Sequence, residues 1–132
     1  MNLESKQIYN IFAPVSLGEL IDKITILEIK TIYMTGKKLK NVKKELELLK
    51  FILEDQNIEI DIDLINHLKK VNMNLWKIED NIRIKESTKE FDKEFIQIAR
   101  SVYKENDVRA TIKKEINLKY NSNLIEEKSY KK

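Results

Sequence analysis

The chain has 132 residues, of which 36% are charged, with a net charge of +3, no cysteine and one histidine. The absence of cysteine excludes disulfides and thiolate metal sites, and a single histidine argues against zinc, so we expect no metal and no cofactor. Acidic and basic residues alternate instead of clustering, which argues against a nucleic-acid-binding surface.

The sequence contains no run of about 18 apolar residues that could span a membrane, so we expect no membrane segment. The first residues, MNLESKQIYN, lack the apolar stretch of a signal peptide, and we expect a cytoplasmic protein. Two glycines and one proline are too few for a turn-rich β fold. The prediction is therefore an all-α, single-domain bundle of about five helices over residues 1–132.

The N-terminal region, residues 1–15, ends in the apolar stretch QIYNIFAPV. We expect it to form an extended strap that packs on the domain. Ser16 and Glu19 have the spacing of a capping box, which predicts that helix 1 follows, over residues 17 to about 34. Gly36 suits the left-handed conformation that closes a helix.

Predicted helix 2 covers about residues 38–55. The segment NIEIDID follows, and we interpret it as a loop in which Asp63 caps helix 3, over about residues 64–86. Helix 3 carries a heptad seam of apolar side chains: Leu64, Leu68, Val71, Leu75, Ile78 and Ile82. This spacing is typical of a bundle core, and its length also allows a homodimer.

The last part of the chain contains two further cap signals. Ser87 with Glu90 forms a second capping box, which predicts that helix 4 runs from there to Lys104. Asp107 is then expected to cap helix 5. The C-terminal tail, residues 119–132, is expected to pack back on the domain.

A second line of residues runs beside the heptad seam on helix 3 when the helix is unrolled at about 100° per residue. We call this line the polar stripe: Ile65, Asn72, Trp76, Glu79, Arg83 and Glu86. Two interpretations remain open for it. It is either a structural network of ion pairs or a site that binds a ligand or partner.

Glu28 projects into the inward face of predicted helix 1. A carboxylate that is buried alone costs several kcal/mol, so it needs a partner or a proton. Arginine suits this role because its planar fork binds a carboxylate at two points. We therefore expect Glu28 to meet Arg83 or Arg100.

Helices 4 and 5 add polar residues that could continue the stripe into a groove with a tryptophan wall. They are Arg100, Tyr103, Asp107, Arg109 and Lys113. Asp107 is also explained as a helix cap, and Tyr103 as a packed aromatic residue.

Four segments form a recognisable set: PVSLGELIDKITILEIK, LWxIEDxIRxxE, FDxxFIxxARxVYxxNDxRAxIK and EEKSY. Together they resemble a family of short bacterial and phage proteins whose function is unknown. The resemblance covers residues 14–130. It implies that the polar positions of these segments form a shared site, which then also includes Glu19, Asp22 and Lys30. It also implies that the C-terminal tail folds back and contributes to the function.

Two classes of function compete for these residues. The first is a binding or regulatory module in which Glu28, Trp76 and Arg83 meet a partner protein or a small anionic ligand. The alternative is a small enzyme that holds an anionic metabolite with its arginines while Glu79 or Glu28 moves a proton.

Overall fold

The computed structural model describes residues 5–130, which form four α-helices and no strand. The helices are α1 (Leu17–Tyr33), α2 (Gly36–Asp55), α3 (Ile62–Ser87) and α4 (Lys93–Lys119). The all-α prediction is confirmed, with four helices over this range instead of about five. α1 packs against each of the other three helices, and α2 packs chiefly against α1. α1 is therefore the central helix. No helix within residues 5–130 is long and apolar enough to cross a membrane.

The start of α1 follows the sequence signal in part. The Ser16 hydroxyl oxygen accepts a hydrogen bond from the backbone N–H of Glu19 at 3.0 Å. The other half of the expected capping box is absent, because the Glu19 carboxylate pairs with Lys113 on α4. Gly36 has the expected positive φ, +63°, but it stands at the beginning of α2 rather than at the close of α1.

The core lies between α1, α3 and α4. Its buried apolar cluster is formed by Ile21, Leu64, Leu68, Val71, Ile112 and Ile116. The heptad seam of α3 enters this cluster with its first three residues only, whereas Leu75, Ile78 and Ile82 are half-buried. The reason is that α1 ends at Tyr33, beside Trp76. Beyond that level only α4 packs against α3.

Two predicted caps are wrong by a few residues. α3 is capped by Asp61 rather than Asp63, since the Asp61 carboxylate accepts the Asp63 N–H at 2.9 Å. α4 is capped by Asp92 rather than Ser87, and Asp92 accepts the Phe95 N–H at 2.9 Å. These backbone N–H groups lower the pKa of each cap carboxyl, and a lysine partner lowers it further in both cases.

Predicted helices 4 and 5 are one continuous helix, α4. Asp107 lies inside it, with its side chain exposed and its carbonyl oxygen accepting a hydrogen bond from the Thr111 hydroxyl. Neither glycine nor proline interrupts this stretch, so an acidic residue there was not sufficient to start a new helix.

The N-terminal segment, residues 5–15, forms no helix or strand and does not pack on the domain as expected. All its side chains are exposed. The C-terminal segment contacts the helices through polar groups: Glu126 accepts a hydrogen bond from Ser16 at 2.6 Å, and Lys114 binds Glu127 at 2.8 Å. Residues 1–4 of the strap and 131–132 of the tail lie outside the described residues.

Candidate functional site

The polar stripe meets the end of α1 through an aromatic pair. Trp76 on α3 stacks on Tyr33 of α1, with ring centroids 5.2 Å apart and planes 17° from parallel. Trp76 is half-buried and Tyr33 remains 49% exposed. The Tyr33 hydroxyl also donates to the Met73 sulfur at 3.6 Å. These contacts hold two large rings in place at the protein surface.

One turn further along α3, the stripe is open to solvent. The Arg83 side chain is 80% exposed and contacts the 54% exposed Glu79, four residues earlier, at 3.4 Å. Glu86 is exposed as well. An exposed pair with this spacing contributes only about 0.3–0.5 kcal/mol, so it does not lock either side chain. We call Tyr33, Trp76, Glu79 and Arg83 the aromatic–arginine surface.

The expected pairing of Glu28 with an arginine is wrong. Glu28 pairs with Lys69 of α3 at 3.7 Å, and its side chain is 29% exposed. The partial exposure explains why a lysine, which is more strongly hydrated, is sufficient. Arg100 is exposed on α4, and Lys30 is half-buried in the last turn of α1.

A buried ion-pair cluster centres on a residue that periodicity did not single out. Asp22 of α1 is 1% exposed, and the guanidinium fork of Arg109 binds both of its carboxylate oxygens, with Nε donating to Oδ1 at 2.9 Å and Nη2 donating to Oδ2. The hydrogen bond to Asp22 raises the pKa of Arg109. Asn72 of α3 donates to Asp22 Oδ1 and to the Thr25 hydroxyl, each at 2.9 Å.

Lys113 completes this cluster. It binds Glu19 and lies 4.0 Å from Asp22, so two cations face two carboxylates. Among the described residues no buried side-chain polar atom lacks a hydrogen-bond partner. The cluster is charge-balanced, with Asp22 fully buried and Glu19 at its solvent-exposed edge, and it joins α1 to both α3 and α4. Two candidate residues, Arg109 and Lys113, are thereby committed to holding the bundle together.

A signal for Asp22 was present on a second face of α1. The residues Gly18, Asp22, Thr25 and Ile29 repeat at four, three and four, and all of them are buried. A Cβ atom on Gly18 would stand 2.5 Å from the Lys113 carbonyl oxygen, so α4 approaches α1 most closely here. A helix with two such faces is expected to be covered on both sides.

A groove of about 1270 Å³ separates α4 from the C-terminal segment. Its lining includes two candidate residues, Tyr103 and Asp107. Four of its five charged side chains are paired: Lys114 binds Glu127 at 2.8 Å, and Lys128 lies 3.9 Å from Asp107. The fifth, Glu126, accepts hydrogen bonds from Ser16 and Asn117. The structure thus places seven candidates in three separate regions: the aromatic–arginine surface, the buried cluster and this groove. The other four lie in none of these regions: Glu28, Lys30, Glu86 and Arg100.

Within residues 5–130 no group of three or more histidine, aspartate or glutamate side chains is arranged to hold a metal ion. The fold is that of a small all-α protein in which a buried ion-pair cluster holds the central helix in place. The chain belongs to a family of unknown function (DUF6165), which matches residues 12–132. A search of curated proteins and a search of solved structures each found no match.

Proposed function

We propose that this chain is a protein-binding module and that its partner docks on the aromatic–arginine surface. The observation that carries the proposal is the exposure of Arg83, 80%, two helical turns beyond the Trp76–Tyr33 ring pair on the same stripe of α3. Tryptophan, tyrosine and arginine are the side chains that most often dominate the binding energy of protein interfaces. Here the two rings are stacked on each other, and Arg83 follows about 10 Å further along the same helix.

The partner chemistry follows from these side chains. The accessible parts of the two rings offer flat apolar area, which favours an apolar or aromatic side chain in the partner. Arg83 can exchange its weak contact with Glu79 for a carboxylate of the partner, because the existing pair contributes little. We therefore expect a partner with an apolar anchor flanked by an acidic residue.

A small anionic ligand is less well supported than a protein. Small-molecule sites are concave and bury most of the ligand surface. Arg83 projects from the convex side of a helix into solvent, and Arg109 is occupied by Asp22. The alternative of an enzyme with several arginine clamps has less support for the same reason.

The test compares three immobilised proteins: the wild type, Arg83→Ala and Lys77→Ala. Lys77 is the matched control because it is an exposed cation on α3 outside the polar stripe. The proposal expects a protein from cells that encode this chain to be retained by the wild type and by Lys77→Ala, and lost from Arg83→Ala. Equal capture by all three proteins would contradict it.

A further inference from the structure

The N-terminal segment exposes much apolar surface. Its five large apolar side chains are Ile8, Tyr9, Ile11, Phe12 and Val15, with exposures of 82%, 75%, 89%, 86% and 53%. The only charged side chain among residues 5–15 is Lys6. Contiguous apolar surface of more than a few hundred Å² usually marks an interaction site.

A second apolar surface lies on α2. Phe51 and Ile52 lie three and four residues after Leu48, and the three side chains, in chain order, are 54%, 66% and 40% exposed. We call these three residues the α2 face. α2 packs chiefly against α1, and among the described residues no other helix lies over this face. The last turn of α2, next to Ile52, contains Glu54 and Asp55 and no basic residue, whereas Lys44 lies one turn before Leu48 at the other end of the face.

The two surfaces lie at the same end of the molecule. α1 and α2 form an antiparallel pair, and the Lys23–Glu45 salt bridge at 3.3 Å sets their register. Ser16 lies seven residues before Lys23, and Ile52 lies seven residues after Glu45. Both helices rise about 1.5 Å per residue, so Ser16 and Ile52 lie at the same level. The N-terminal segment therefore leaves α1 level with the C-terminal end of the α2 face.

The segment nevertheless does not cover the α2 face of its own chain. Ala13 precedes Pro14, and the proline ring disfavours the helical conformation at the residue before it. The chain therefore does not continue α1 upstream of Pro14, and the side chains of residues 5–15 remain exposed instead of covering the adjacent helix. Each chain is left with one uncovered apolar segment and one uncovered apolar face.

We propose that the N-terminal segment of one chain docks along the α2 face of a second copy, which returns its own segment in the same way. Such an exchange forms a closed two-fold dimer from one pair of complementary surfaces used twice. Charge favours it as well, since Lys6 would approach the acidic C-terminal end of α2, where the helix dipole also attracts a cation.

The area is sufficient for a stable dimer. With roughly 150–250 Å² available from each large side chain, one segment and one α2 face together carry about 1,000 Å² of apolar surface. Because neighbouring side chains of an extended chain point to opposite sides, a docked segment buries about half of its apolar surface, so two such contacts bury roughly 1,500 Å², within the range for stable protein interfaces. The aromatic–arginine surface lies at the other end of α1, about 25 Å away at 1.5 Å per residue, so it stays accessible in the dimer.

The first test measures molecular mass by sedimentation for the wild type, Phe12→Asp, Phe51→Asp and Phe91→Asp. Phe91 is the matched control because it is a 57% exposed phenylalanine in the loop between α3 and α4. The wild type and Phe91→Asp should be dimers. Phe12→Asp and Phe51→Asp should each associate at least about 100-fold more weakly. A monomeric wild type, or a dimer that only one of these two variants disrupts, would overturn the proposal.

Mixing the two disrupted variants tests the exchange itself. Phe51→Asp retains an intact segment and Phe12→Asp retains an intact α2 face, so their mixture can form one of the two contacts. The mixture should associate more tightly than either variant alone and more weakly than the wild type. No gain on mixing would overturn reciprocal docking, since an interface between like surfaces cannot be restored in this way.

Cysteine cross-linking separates docking on a second copy from docking on the same chain. The native chain has no cysteine, so Phe12→Cys and Ile52→Cys can be introduced without background. A chain that carries both substitutions should oxidise to covalent dimers. Closed, monomeric products would mean that the segment covers its own α2 and would overturn the proposal.

Discussion

Replacing Arg109 with methionine is the perturbation that should affect stability most. Methionine keeps an apolar stem but removes the guanidinium that binds both oxygens of Asp22, which is 1% exposed. Asp22 then keeps the Asn72 amide at 2.9 Å and Lys113 at 4.0 Å, too little to neutralise a buried charge. Breaking a buried pair in this way costs about 3–5 kcal/mol. That is a large part of the 5–15 kcal/mol by which a domain of this kind is typically stable.

Urea unfolding followed by circular dichroism at pH 7 measures this loss. Arg83→Ala is the control, because its exposed pair should contribute no more than about 1 kcal/mol. Asp22→Asn combined with Arg109→Met should recover part of the lost stability, because the asparagine carries no charge and still accepts a hydrogen bond from Asn72. The reasoning is refuted if Arg109→Met unfolds within 1 kcal/mol of Arg83→Ala, or if the double variant is no more stable than Arg109→Met.

Two further predictions concern the packing of α1 and the start of α4. Gly18→Ala should destabilise the protein, because the new Cβ clashes with the Lys113 carbonyl oxygen. Gly36→Ala meets no atom within 4 Å and should lower the free energy of unfolding by only about 1 kcal/mol, because of the positive φ at this position. Thermal melting of both variants tests this order. Asp92 has a pKa below its ordinary value of 3.8, because it accepts the Phe95 N–H and binds Lys85. Its contribution to stability is therefore complete above pH 3.8 and is lost as the pH falls through the lower pKa of the folded state. Asp92→Asn keeps the cap without the titration and should lose less stability between pH 5 and pH 2 than the wild type does, and an equal loss would contradict this account.

The helices were predictable because their apolar spacing and their lengths agree with the fold. The first helix was expected from residue 17 and begins at Leu17, since the Ser16 hydroxyl caps it. The loop after α2 was also expected. The later caps were not, because several acidic residues compete at each boundary. Asp61 and Asp92 were not predicted as caps, although they cap α3 and α4. α4 also continues past Asp107 without a break, because tertiary packing stabilises it there.

The candidate residues were predicted less well than the helices. The inward face of α1 was assigned from its most apolar side. That assignment placed Glu28 toward the core and Asp22 on the opposite side, toward solvent. Because α1 is surrounded by α2, α3 and α4, that opposite side is buried too. The sequence of one helix does not tell how many neighbours surround it, and so it cannot tell which acidic residue needs an arginine. Trp76 is half-buried beside the core, as the spacing on α3 indicates, whereas Arg83 is 80% exposed because α1 does not extend that far along α3.

The central claim, that the aromatic–arginine surface binds a protein, is tested most directly by the emission of Trp76, the only tryptophan of the chain. A captured partner, purified and labelled so that its own tryptophans do not interfere, is titrated into the wild type and into Arg83→Ala. The account expects a saturable change in Trp76 emission and at least about tenfold weaker binding by Arg83→Ala, the loss of 1.4 kcal/mol or more that is typical of an interface hot spot. Binding of equal affinity by both proteins, with Trp76 emission unchanged, would contradict it.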